Sequence, residues 1–198
     1  LGSDGPPTCY EDIDFADVIL IVGLNMAEAH PVTFVRIRAG RAASSDTTCL
    51  IGNDPRRTKT AEQADLHLPL APGSDVALFN LAAKRLLESE QFDASFVNAH
   101  TKGFESFTQS LRQSDEAALL SAVDVEPALI DTLVDRLAHA RALLSFYCMG
   151  LGQSTAGVAK HNALTNLHLL TGNTGKIGAG PFSLTGQPNA MGGPESGL

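Results

Sequence analysis

Five short segments carry the residue types that could do chemistry. The first is Gly23-Leu24-Asn25-Met26-Ala27-Glu28, directly after an apolar run. Gly23 allows a close backbone approach, Asn25 offers both a donor and an acceptor, and Glu28 can receive a hydroxyl or amino hydrogen. A plain strand–helix turn has the same composition. The second is Asn53-Asp54-Pro55-Arg56-Arg57-Thr58. An acidic residue at the end of a second strand is placed to take a ribose hydroxyl, and Asp54 stands there. Arg56 and Arg57 can pair with phosphate or stack on a base, or form a solvated turn. The third is Pro72-Gly73-Ser74-Asp75, a helix start that either caps the helix or meets a ligand. Exposed N–H groups there favour an acceptor, whereas the Asp75 carboxylate suits the paired donors of a guanine edge. The fourth is Met149-Gly150-Leu151-Gly152-Gln153-Ser154, where Met149 can equally be core. The fifth is the stretch from Thr171, with eight glycines in 28 residues and the polar Lys176, Gln187 and Asn189.

Several chemistries are excluded. Gly23–Glu28 is not GxGxxG, so an ordinary nicotinamide site is unsupported, and Ile177 after Lys176 breaks the phosphate-loop pattern. No HExxH and no Ser/His/Asp signature occurs. His161 and His168 share a helix face without a third ligand nearby, so they read as satisfied structural histidines and no metal ligand is assigned. No catalytic residue is assigned either.

These segments need a scaffold that ends strands beside helix starts. Asp17–Val22 is a β-branched run that reads as a buried parallel strand. Pro31 to about Ala43 reads as a helix with Val32, Val35 and Ile37 inward, and Thr47–Ile51 as a second strand. Leu66–Leu70 is a third strand. A helix capped by Ser74 or Asp75 follows, with Leu78, Leu81, Ala82 and Leu86 on its apolar face. Residues 91–125 read as short helices and loops anchored by Phe92, Phe96, Phe104 and Phe107. Pro127–Ala140 is an amphipathic helix with the stripe Ile130, Leu133, Val134 and Leu137. Leu143–Met149 reads as a strand, Thr155–Leu170 as a helix, and everything from Thr171 as a loop. The fold class is therefore α/β: two Rossmann-like α/β units with mostly parallel sheets and a glycine-rich C-terminal loop. The division expected is 1–120 for a dinucleotide-binding unit and 121–198 for a second, partial unit.

Bulk properties agree. The 198 residues are 43% apolar with a net charge of -8, which argues against nonspecific binding to nucleic acid or anionic membranes. No apolar run approaches the ~20 residues of a membrane span. The cysteines, Cys9, Cys49 and Cys148, are three and far apart. That suits buried thiols in a reducing compartment, so the cytoplasm is expected, and it does not suit an iron–sulfur centre. The chain begins at Leu1 and is read as an internal piece of a longer protein.

Taken together, GLNMAEAHP (23–31), NDPRRTKTAEQADLHLPLAPGSDVAL (53–78), MGLGQSTAG (149–157) and TGKIGAGPFSLTGQPNAMGG (174–193) resemble the bis-molybdopterin guanine dinucleotide oxidoreductases of the dimethyl sulfoxide reductase superfamily. The resemblance spans nearly the whole chain and is strongest to bacterial assimilatory nitrate reductases. It implies a molybdenum-bis(molybdopterin guanine dinucleotide) cofactor and a parent enzyme that reduces nitrate to nitrite. It also implies a 4Fe-4S cluster in that parent, with its ligands and the molybdenum-ligating cysteine outside this chain. The remaining domains of the parent are the implied partners, and the isolated chain is expected to be inactive. By resemblance, Gly23 to Glu28, Asn53 to Arg57 and Gly73 to Asp75 contact the nucleotide half of one cofactor. Met149, Gln153, Gln187 and Asn189 lie nearer the pterin and molybdenum. Gly152 stands where related enzymes usually carry Asn, and Pro194 where nitrate reductases usually carry Arg. The second departure keeps a formate dehydrogenase open, and a non-catalytic nucleotide-binding module is the reading of a different class.

Overall fold

A computed structural model describes residues 7–43 and 48–184. Five strands form one sheet: β1 (Val18–Val22), β2 (Cys49–Asn53), β3 (Leu66–Leu68), β4 (Leu143–Tyr147) and β5 (Gly180–Ser183). Their order is β3-β2-β1-β4-β5, and every pairing is parallel. The chain moves outward from β1 through β2 to β3, then crosses back and builds β4 and β5 on the other side. The order thus reverses between β1 and β4, the place where open α/β sheets form a crevice at the carboxyl ends of their strands. Segments 1–120 and 121–198 contribute to the same sheet, because β1 pairs along its whole length with β4.

Both faces of the sheet are covered, which explains the continuous apolar runs. Val18, Leu20 and Val22 face one cluster, with Leu78, Leu81 and Leu86 of α3 (Asp75–Glu88) and Ile130, Leu133 and Leu137 of α7 (Pro127–His139). Leu164 and Leu167 of α9 (Gly157–Leu170) join the same layer. Ile19 and Ile21 face the other cluster, with Phe34 and Ile37 of α2 (Pro31–Ala43). Each such fully buried side chain contributes about 1.5–3 kcal/mol. At the opposite edge from the crevice, the Asp17 carboxylate accepts from the N–H groups of Arg141 and Ala142 and so sets the register of β1 against β4.

Some expectations are corrected. Val32 and Val35 are 84% and 60% exposed. The buried face of α2 is Phe34 and Ile37, one helical turn apart, and Val32 and Val35 are rotated about 200° from one or the other at ~100° per residue. The strand expected at Thr47–Ile51 runs Cys49–Asn53, two residues later, which brings Asn53 to the last strand position. Thr47 lies outside the described residues. β3 ends at Leu68 and β4 at Tyr147, both earlier than expected, and α9 starts at Gly157 rather than Thr155. Residues 180–183, expected within the loop, form β5, where Phe182 packs against Phe146 with ring centroids 5.2 Å apart. A four-residue strand that opens on Gly and Pro has almost no periodicity to read. The cysteines are free but not buried: Cys9 is exposed, Cys49 and Cys148 half-buried.

Residues 91–125 do form short helices: α4 (Ala94–His100), α5 (Phe104–Gln113) and α6 (Glu116–Val123). Phe92, Phe104 and Phe107 anchor them against the core, whereas Phe96 pairs with His100. Two very short helices, α1 (Met26–Ala29) and α8 (Met149–Gly152), each follow a sheet strand at the crevice. No helix among the described residues is long and apolar enough to cross a membrane.

Candidate functional site

The crevice holds a cavity of about 450 Å³ at the carboxyl ends of β1, β2 and β4 and just beyond β3. Gly23 leaves β1 with φ +55°, and its carbonyl accepts from the N–H of Gly150, at 3.1 Å, just beyond β4. A methyl group on Gly150 would sit 2.3 Å from that carbonyl oxygen, and one on Gly23 would sit 2.8 Å from Gly150. Only paired glycines allow the two strand-end loops to touch here.

Asn53, Asp54, Pro55 and Arg56 line the next wall. Asn53 is 1% exposed, and neither the nitrogen nor the oxygen of its side-chain amide has a hydrogen-bond partner among the described residues. Its backbone carbonyl accepts from Gly23 N–H at 2.9 Å, so the residue is fixed while its amide is uncommitted. Buried amides are nearly always paired, and an unpaired one costs roughly 1–3 kcal/mol. Asp54 turns back to accept from the N–H of Arg56 at 2.9 Å, and its carbonyl meets the His67 ring at 2.9 Å. Arg56 and Arg57 are exposed.

The third wall is Leu70, Pro72, Gly73 and Asp75. Ser74 holds the N-cap position of α3, but its hydroxyl donates to the Ala71 carbonyl instead of accepting from the helix. Asp75 is 7% exposed and pairs at 2.7 Å with Lys160 of α9, which is 4% exposed. Both members of this buried ion pair line the cavity.

The remaining candidates in the first loop do not line this cavity. Leu24 and Met26 are buried in the core beside α2, which pins the turn. Asn25 donates to Glu28 at 2.6 Å, and Glu28 pairs with Lys59 at 2.8 Å. The Thr60 hydroxyl donates to the Asn25 side-chain oxygen at 3.0 Å and accepts from the N–H of Ala27 at 2.9 Å. The first loop is thereby tied to the segment after β2. Lys59 beside it holds the Glu28 carboxyl below the usual carboxylate range. Met149 is 42% exposed and Gln153 exposed, both on α8 or just past it. Gln187 and Asn189 lie outside the described residues.

His161 and His168 both engage protein groups. His161 meets the Gly157 carbonyl at 2.7 Å and stacks edge-on to Tyr147. His168 is fully buried between Ser145 Oγ, at 2.7 Å, and the Asn173 carbonyl, at 3.0 Å. Burial pushes its pKa down to about 4. No group of three or more His, Cys, Asp or Glu among the described residues could hold a metal ion.

Two residues that shape the site escaped sequence reasoning. Lys160 had a signal: it falls on the same helical stripe as the buried Ala163, Leu164 and Leu167, where a lysine needs a partner. Thr60 had none, because a threonine in a polar turn looks like any other.

The chain is thus an open parallel α/β sheet with glycine-lined strand ends and a buried carboxylate at its crevice. The family model of the molybdopterin oxidoreductases matches residues 7–196. The chain is 43% identical over 196 residues to a nitrate reductase of Synechocystis, covering 99% of this chain and 27% of that protein. It is 42% identical over 192 residues to an assimilatory nitrate reductase of Haloferax mediterranei, covering 96% and 26%. It is 35% identical over 191 residues to the alpha subunit of an F420-dependent formate dehydrogenase of Methanocaldococcus jannaschii, covering 96% and 28%. In structure it is similar to acetylene hydratase from Pelobacter acetylenicus, with a TM-score of 0.75 and 21% identity, over 86% of this chain and 25% of that one. The chain belongs to the molybdopterin oxidoreductase family, and it spans about a quarter of the length of these relatives.

Proposed function

We propose that this chain is the part of a molybdenum-dependent nitrate reductase that seats the guanine nucleotide end of a molybdopterin guanine dinucleotide. The observation that carries the reading is the Asn53 amide, buried in the cavity wall with neither end partnered. The residues present fit the group. The unpaired amide needs a polar ligand, the glycine pair leaves no side chain between the loops, and 450 Å³ suits a nucleoside-sized body. Asp75 would accept from the two adjacent donors of guanine, and Asp54 from a ribose hydroxyl. Arg56, whose guanidinium lies 3.7 Å from the Asp54 carboxylate, and the exposed Arg57 would turn to the pyrophosphate. The clasp of Asn25, Glu28, Lys59 and Thr60 would hold the first loop in place.

On this reading residues 1–120 supply most of the nucleotide seat, Gly150 and Lys160 complete it, and the rest of residues 121–198 approach the pterin. Met149 and Gln153 would then border the reacting end, together with Gln187 and Asn189. The molybdenum group supplies two-electron oxygen-atom chemistry, which takes nitrate, two electrons and two protons to nitrite and water. This chain's residues bind, orient and exclude water. The electron relay, a 4Fe-4S cluster, belongs to the longer enzyme, for which the cytoplasm is the proposed location.

The intact enzyme should produce nitrite from nitrate with a reduced viologen donor. Asp75→Ala in that enzyme should lower molybdenum and pterin content together, and unchanged content would remove the reason for seating guanine there. The formate dehydrogenase relative favours a second reading, formate oxidation on the same cradle. Formate-dependent dye reduction without nitrite formation would select it.

A further inference from the structure

Lys160 stands on a buried helical stripe whose packing alone does not call for a lysine. It is 4% exposed, and it sits one turn into α9, whose amino end carries the positive pole of the helix dipole. Both burial and the dipole disfavour an ammonium there. Apolar residues fill the stripe around it, Ala163, Leu164 and Leu167, so packing alone would take a leucine or methionine. Its described ion-pair partner is Asp75 at 2.7 Å, the first residue of α3. Both residues open onto the cavity that also holds the unpartnered Asn53 amide.

We propose that Lys160 is a specificity-determining positioning residue. By holding one oxygen of Asp75, it fixes the carboxylate plane so that the cavity selects a base with two adjacent N–H donors. The inference rests on the nucleotide-seating reading above. A carboxylate free to rotate accepts hydrogen bonds from many directions. One oxygen fixed by an ammonium leaves the other in a single orientation, and the charge that a neutral base cannot balance is already balanced. Guanine presents N1–H and the exocyclic amino group side by side. Adenine has no adjacent N–H on its ring, so it meets the same carboxylate with one donor only. A matched pair of donors is worth about a tenfold preference or more. The Asn53 amide, having a donor and an acceptor, would meet the other polar atoms of either purine and add little to the choice between them.

The test uses the intact enzyme stripped of cofactor, titrated calorimetrically with GMP and with AMP, alongside thermal unfolding. The unsubstituted enzyme should bind GMP about tenfold more tightly than AMP. Lys160→Met should cut that preference to less than threefold while leaving AMP affinity nearly unchanged. Lys160→Arg, which keeps a cation, should restore most of it. Equal loss of both affinities in Lys160→Met would mean that the lysine only supports the fold, and would overturn the proposal. If Lys160→Met does not fold, Lys160→Gln keeps a polar group on α9 without the charge and with a shorter reach. That variant should bind GMP less than threefold more tightly than AMP, and a retained tenfold GMP preference in it would overturn the proposal. Absence of any GMP preference in the unsubstituted enzyme would instead sink the nucleotide-seating reading itself.

Discussion

The loop after β1 and the loop after β4 leave the sheet side by side, yet they are held by different means. Side chains hold the first. Thr60 reaches across from the segment after β2, Asn25 and Glu28 bond to each other, and Lys59 closes the ring. Backbone holds the second: the N–H of Gly150 rests on the Gly23 carbonyl, and α8 continues with Met149, Gly152 and Gln153 exposed. A side-chain clasp tolerates the loss of one member, because its parts are separable and partly solvated. A backbone contact without any spare volume does not. The cavity wall at Gly23 and Gly150 is thus set by steric fit, and the outer part of the first loop, away from the cavity, by polar contacts.

The sharpest way to break that contrast is at the glycine pair. Gly150→Ala would drive a methyl to 2.3 Å from a backbone oxygen, so the strand ends must part. A loss of roughly 2–4 kcal/mol is expected in urea unfolding of the intact protein. A change under 1 kcal/mol would show that the two loops separate easily.

Acid probes the β4 side next. His168 has a folded pKa near 4 against ~6.5 for a free histidine, because burial disfavours its charged form. Between those values the unfolded chain binds the extra proton, so stability rises with pH. The contribution is fully present above about pH 6.5 and is lost as pH falls to 4, by at most about 3 kcal/mol. Unfolding midpoints at pH 7.5 and 5 should differ accordingly, and His168→Gln should flatten the difference. The same slope in that variant would place the acid sensitivity elsewhere.

Thr60→Ala should be milder. The hydroxyl is 2% exposed and serves both a donor and an acceptor, so about 1–2 kcal/mol should go with it. Smallest of all, Glu28→Gln breaks only an exposed pair with Lys59 and should leave the unfolding midpoint where it was. A large drop there would make the clasp a single unit and erase the distinction drawn above.

Much of this was legible in the sequence because the signals were local. β1 is five consecutive apolar residues, and the stripe of α7 has unbroken helical spacing. All of the first four candidate loops supply cavity-lining residues, with Gly23 from the first, Asn53 to Arg56 from the second, and Gly73 and Asp75 from the third. The fourth supplies Gly150 through contact with Gly23, which depends on β1 and β4 being neighbours. What escaped depended on partners distant in sequence. Val32 and Val35 have the right type but the wrong side of α2, since Phe34 and Ile37 are the pair that reaches the sheet. β5 is defined by its pairing with β4 more than by its own residues. Lys160 gains meaning only from Asp75, and Thr60 only from Asn25 and Ala27.

Asn53→Ala in the intact enzyme tests the central claim most directly. The amide has no partner among the described residues, so its removal should leave unfolding stability unchanged or slightly higher. If it serves the cofactor, the GMP released on acid denaturation and the bound molybdenum should both fall severalfold in the same preparation. Full GMP and molybdenum content with unchanged stability would contradict the account.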